Sequence, residues 1–246
     1  MKTKSIFALM LAMLLVLGAL TRLVAQSRMV VYLSDGSKYF QEVALVDSIG
    51  FEEHEYVDLG LPSGTLWATC NVGANSPEEY GDYFAWGETR QKASYSWSTY
   101  KYGTSSSMLT KYCSDSSSGL NGYTDTLTVL DPDDDAATAN WGSGWCMPTY
   151  DEIYELYTEC SSIWTTRSGQ DGRLFTGPNG NTLFLPAAGY YNEGSLKRAG
   201  SLGNYWSSSH LDDYPDGAYY LRFNSDYLNL YYDGRYYGRS VRPVVK

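Results

Sequence analysis

The sequence predicts an α+β fold made mostly of short strands, on three observations. An Asp35-Gly36 pair sits between two β-prone runs, and one helix is well signalled by a capping box at Thr149 and Glu152. From Tyr56 onward, short apolar pieces alternate with Gly, Ser, Asn and Asp. Of the 246 residues, 43% are hydrophobic and 15% aromatic, which supplies enough apolar surface to offset the ordering entropy of most of the chain. The formal net charge is −10, and no basic block exceeds pairs such as Lys197-Arg198. The counterion-release drive of a nucleic-acid binder is therefore missing, and nucleic acid is excluded as an expected partner.

Residues 1–25 read as a secretory signal peptide, with Lys2 and Lys4 preceding an apolar run from Ile6 to Leu20 and a cleavage site near Ala25-Gln26. The chain is expected to be exported, to the extracellular space, the cell surface or the periplasm. Arg22 interrupts the run late, so an uncleaved anchor helix stays open as the one route to a membrane. Residues 26–53 read as a short β extension. Met29 to Leu33 and Ser37 to Val46 flank the Asp35-Gly36 turn, whose central residues need positive φ, and residues 48–51 supply a third apolar piece. This unit is too short to bury a core alone.

Residues 54–246 form the main domain. Within it, residues 91–126 lack periodicity and read as a long insertion of loops. A helix is expected from Asp134 to Trp141, with Asp133 or Asp134 as N-cap and Ala136, Ala137 and Ala139 as helix formers. The capping-box helix follows, with Ile153, Leu156, Tyr157 and Cys160 at helical spacing.

Chemistry is sparse. The chain has four cysteines, Cys70, Cys113, Cys146 and Cys160, and export favours at least one disulfide among the three full pairings they allow. Only two histidines occur, His54 and His210, and no CxxC, so no Cys/His zinc site is expected. Asp131 to Asp135 reads as a solvated turn plus helix cap and not as a calcium loop. His210 has Ser207 to Ser209, Asp212 and Asp213 beside it, but triads assemble through space and not by such adjacency. Glu78-Glu79 and Asp212-Asp213 would serve a glycosidase only if a cleft set their separation. No catalytic residue, metal or cofactor is expected.

The segment from Tyr205 to Tyr237 mixes tyrosines with Asn, Asp, Ser, Gly and Arg, which is the composition of a binding loop: large amphipathic contacts with few torsions to freeze, plus adaptable hydrogen bonds. Alternation turns Ala218, Tyr220, Leu221, Phe223, Leu228 and Leu230 inward and leaves Tyr219, Arg222, Tyr227, Asn229 and Tyr231 outward. The candidate ligand-binding residues are Tyr219, Tyr227, Asn229, Tyr231, Tyr232, Asp233, Tyr236 and Tyr237 on one open surface, with His210, Asp213 and Tyr214 at its rim.

Seven ordered motifs carry a family resemblance from about residue 56 to the C-terminus. They are Val57-Asp-Leu-Gly-Leu-Pro-Ser-Gly-Thr-Leu-Trp-Ala-Thr-Cys-Asn-Val-Gly73, Tyr80-Gly-Asp-Tyr-Phe-Ala-Trp-Gly-Glu88, Asp134-Asp-Ala-Ala137, Trp141-Gly-Ser-Gly-Trp-Cys-Met-Pro-Thr149, Phe184-Leu-Pro-Ala-Ala-Gly-Tyr190, Tyr205-Trp-Ser-Ser208 and Gly238-Arg-Ser-Val-Arg-Pro-Val244. Together they resemble the Fibrobacter-type major paralogous domain, abundant in exported proteins of gut Bacteroidetes. The resemblance implies a C-type lectin-like fold with its end strands, Tyr56 to Leu59 and Ser240 to Val244, side by side, and a relation to diversity-generating-retroelement variable proteins. That relation implies fixed residues at Tyr205 to Ser208, Leu221, Phe223, Arg235 and Gly238 to Val244, with variable positions between 210 and 237. Cys146 stands where the family usually has arginine, and the resemblance implies Cys70 and Cys160 as the disulfide pair. The formylglycine-generating enzymes of the same fold need a late reactive cysteine pair, which this chain lacks. The functional expectation is an exported, non-enzymatic binder of a protein or glycan ligand; a carbohydrate-active enzyme and a structural or adhesive surface component are the alternatives.

Overall fold

The computed structural model describes residues 28–32, 37–42 and 54–245, and the chain divides into two units, Met1–Glu52 and Glu53–Lys246. In the first unit, β1 (Arg28–Tyr32) and β2 (Lys38–Glu42) pair antiparallel with Tyr32 opposite Lys38. The Asp35-Gly36 turn, the apolar piece at 48–51 and the signal segment 1–25 lie outside the described residues.

The second unit is built from small antiparallel sheets. β3 (Tyr56–Asp58), β4 (Leu66–Ala68) and β13 (Val244–Val245) form one, with β4 in the middle, so the two end segments share a sheet. β5 (Ser161–Arg167), β6 (Gln170–Thr176) and β7 (Thr182–Pro186) form a meander, and β8 (Tyr190–Asn192) pairs with β9 (Ser195–Lys197). β10 (Gly203–Leu211), β11 (Tyr214–Phe223) and β12 (Leu228–Gly234) make the sheet with the longest strands, in that order.

Two α-helices join them. α1 (Ala136–Trp141) has Asp135 as N-cap, its carboxylate accepting from Ala137 N and Thr138 N, one or two residues later than the expected Asp133 or Asp134. α2 (Tyr150–Glu159) has the expected capping box, Thr149 and Glu152 each bonding the other's backbone N–H.

The expected α+β, C-type lectin-like fold is corrected here. In this unit eleven strands, β3 to β13, stand against two α-helices of six and ten residues among the described residues, so it is β-dominated. The physical reason is local pairing: apart from β13, each short apolar piece finds its sheet neighbour within a few tens of residues, and α1 at six residues is too short to make a helical layer.

The β10–β12 sheet is packed on both faces. On one side α2, through Ile153 and Leu156, and the meander, through Phe175 and Leu185, bury Tyr205, Leu221 and Phe223. The Phe223 ring lies where only Gly203 leaves room, since a Cβ there would stand 2.1 Å from Phe223 Cζ. On the other side Phe84, Trp86, Tyr112, Ala136, Ala137 and Met147 bury Trp206, Ala218 and Tyr220.

Three arginines tie the C-terminal segment into this packing. Arg235 donates to the carbonyls of Tyr112 (2.5 Å) and Lys111 (3.2 Å), and Arg242 donates to Asn71 Oδ1 (2.8 Å), Ala68 O (3.1 Å) and Thr69 O (2.6 Å). Burial lowers the pKa of both, that of Arg242 to about 10. Arg239 lies 3.6 Å from the Tyr220 ring, 4.4 Å from Trp206 and 5.3 Å from Tyr237, and reaches Asp233 Oδ2 at 2.6 Å.

Candidate functional site

The β11–β12 register decides which tyrosines share a face, because directly opposed residues point the same way. Tyr219/Tyr232, Leu221/Leu230 and Phe223/Leu228 face α2; Ala218/Asp233, Tyr220/Tyr231 and Arg222/Asn229 face the opposite side. The expected single open surface is therefore corrected to two faces, since core covers both sides of the sheet and alternation alone shows side but not cover.

On the α2 side the tyrosines form a series of two ring-contact groups, set side by side by the pairing of Tyr219 with Tyr232. Tyr150 contacts Tyr219 at 4.5 Å between ring centroids and stacks with Tyr154 at 6.0 Å, and Tyr154 meets Tyr157 at 6.2 Å. Across the strand pair from Tyr219, Tyr232 stacks on Tyr214 at 5.4 Å. Tyr214 is 53% exposed, Tyr232 51% and Tyr154 48%. Asp212 and Asp213 are exposed at the tip of the β10–β11 hairpin beside this series. Partial burial, then Tyr150 and these two carboxylates, hold the Tyr219 hydroxyl above its ordinary pKa. Tyr150 and Tyr154 carry no expectation from the sequence, and Tyr157 only one of apolar helical spacing; the signal of all three is spacing at i, i+4 and i+7 along α2, which puts them on one helical stripe.

On the opposite side Arg222 lies over Tyr227 (5.6 Å) and Tyr231 (5.5 Å), with Asn229 exposed beside them. Tyr236 and Tyr237 are corrected from open surface to packing. They stack at 4.3 Å, with Trp97 against Tyr236 at 5.1 Å and Tyr190 against Tyr237 at 5.8 Å. Asp233 is engaged by Arg239.

His210 is corrected from rim to core, at 4% exposure. A register shift in β10 between Trp206 and His210 turns its ring inward. Its Nε2 lies 2.6 Å from Leu127 O, which can only accept, so Nε2 carries the proton; the Trp86 ring sits edge-on at 5.9 Å. Burial and then the Arg235 charge lower its pKa, so the folded protein keeps it neutral. The unfolded chain binds the proton first as pH falls below about 6.5, and stability drops from there down to the depressed folded pKa. Urea midpoints at pH 7.5 and 5.5 are expected to fall more in the parent protein than in His210→Gln; equal falls would refute the assignment.

No disulfide joins the four cysteines, which corrects the expected Cys70–Cys160 pair. Cys160 packs into the core with Leu156 and Phe175, whereas Cys70 adjoins Thr69 just beyond β4. Burial pushes the Cys160 thiol up to about 11. Asp131 and Asp134 are engaged by Lys111, and Asp135 caps α1, so the acidic run serves structure. No group of three or more metal-ligating side chains occurs among the described residues, and none of their helices is long and apolar enough to cross a membrane.

A family described as a domain of unknown function, DUF8237, matches residues 159–244, the stretch from the end of α2 through β13. No curated protein and no solved structure matches the chain.

Proposed function

We propose that this chain is an exported, non-enzymatic ligand-binding protein whose contact surface is the tyrosine series of α2 and the β11–β12 edge, taking a protein or glycan ligand. The observation that carries this reading is the exposure of Tyr154, Tyr214 and Tyr232 in two ring-contact groups, one anchored by half-buried Tyr150 and Tyr219 and the other the Tyr214–Tyr232 stack, which the pairing of Tyr219 with Tyr232 sets side by side. Anchored rings lose little conformational freedom on binding, and clustered exposed aromatics mark interaction sites. Export rests on the N-terminal sequence pattern. The burial of Tyr205 to Ser208, Leu221, Phe223, Arg235 and Arg239 to Val244 also supports a scaffold with a separate contact surface.

Screening the mature protein on arrays of glycans and of extracellular protein domains is expected to yield a ligand. Tyr232→Ala or Tyr154→Ala should weaken its capture by about 2 kcal/mol, roughly 30-fold, with the melting temperature nearly unchanged. Capture that survives both substitutions would overturn the reading.

A further inference from the structure

A cleft of about 490 Å³ is lined by Ser76, Glu78, Glu79, Tyr80, Ser168 and Gln170, none of which belongs to the tyrosine series. Its volume lies within the roughly 300 to 1,000 Å³ of small-molecule sites. Ser168 and Gly169 are the two central residues of the β5–β6 turn, since Arg167 pairs with Gln170, and both have positive φ, +47° and +81°. Glycine or asparagine suits the first of these positions; serine there is held in a disfavoured conformation. The strained residue is thus one that lines the cleft.

The lining groups select a ligand chemistry. Glu78 is paired with Arg167 Nε at 3.2 Å, and Glu79 Oε2 accepts from Asn75 N at 2.7 Å, so both carboxylates are fixed in place with acceptor capacity left over. Gln170 and the hydroxyls of Ser76 and Ser168 can each donate and accept. Tyr80 packs against the core of Tyr83, Tyr95 and Tyr100 and forms an aromatic wall. An anion would meet two carboxylates, and an apolar ligand would strip them of water without replacing its hydrogen bonds. A neutral sugar ring meets every demand, its hydroxyls donating to the carboxylates and accepting from Gln170 and the serines while its C–H face covers Tyr80. We propose that this cleft binds one hexose-sized unit of a neutral glycan.

Saturation-transfer NMR on the full chain with the methyl glycosides of glucose, galactose, mannose and N-acetylglucosamine is expected to show transfer to the ring protons of at least one. Gln170→Ala and Ser168→Gly should each weaken that glycoside at least fivefold, and Ser168→Gly should leave the melting temperature unchanged or higher because it relieves the turn. No transfer from any glycoside would overturn the proposal, as would binding of spermidine in their place. Glycoside binding lost in Tyr232→Ala but kept in Gln170→Ala would place the sugar on the tyrosine series and likewise overturn the cleft.

Discussion

Asp134→Ala is expected to destabilise the protein by about 3 kcal/mol at pH 7, the lower end of what removing one partner of a buried ionic cluster costs. Asp134 is 3% exposed. Its Oδ1 accepts from Lys101 Nζ (2.9 Å) and from the Tyr102 hydroxyl, and its Oδ2 from Lys111 Nζ (2.7 Å) and the Tyr112 hydroxyl (2.8 Å). Lys101 and Lys111 are partly exposed and can turn to solvent once the carboxylate is gone, which keeps the cost from the upper end. Tyr112 is fully buried and still donates to nothing else there, while its oxygen accepts from Asp131 N, so its hydroxyl proton is left without an acceptor.

The same cluster sets acid behaviour. Burial alone would raise the Asp134 pKa, but hydrogen bonds from Lys111, Tyr102, Lys101 and Tyr112 outweigh it and hold the carboxyl below the ordinary range. Its contribution is complete above the unfolded value near 3.9 and is lost as pH falls through the folded pKa. Urea unfolding at pH 7 and pH 3 checks both parts: the gap between parent and Asp134→Ala should narrow at the lower pH, and a gap below about 1 kcal/mol at pH 7 would refute the account.

Trp206→Ala is expected to cost about 5 kcal/mol, at the upper end for emptying a large core site. Trp206 is fully buried, its Nε1–H donates to Phe84 O at 2.9 Å, and its ring forms one wall around Arg239 at 4.4 Å. Truncation opens a cavity beside a buried guanidinium whose Nε and Nη1 already have no hydrogen-bond partner. Phe223→Ala should act in the same direction through the other core, against Phe175 and Tyr205. Tyr232→Ala should move stability by no more than about 0.5 kcal/mol, as at an exposed site. Thermal or urea unfolding of the three variants orders them; a Tyr232 variant that unfolds beside a stable Trp206 variant would show the scaffold and contact roles to be reversed.

What the sequence determined by itself was local. The Thr149/Glu152 capping box and the apolar spacing of Ile153 and Leu156 define α2, because a helix start is decided by hydrogen bonds within four residues. Inward positions such as Ala218, Tyr220, Leu221 and Phe223 were legible from side-chain size and strand character. The N-cap of α1 was off by one or two residues because three successive aspartates compete for it, and only the Lys101–Lys111 pair, far away in sequence, claims Asp134 and leaves Asp135 to cap.

Tertiary structure alone decided the rest. The fold class turned on how short strands pair, which motif order does not specify. The split of the tyrosines into two faces depends on the β11–β12 register and on both sides of the sheet being covered, and a one-residue change of register would exchange the faces. His210 went inward through a bulge that no local pattern announces, and Tyr236 and Tyr237 were taken up by Trp97 and by Tyr190 of β8, both far away in sequence. Tyrosine's amphipathic ring suits water and core alike, so its placement waits on what the rest of the chain brings against it.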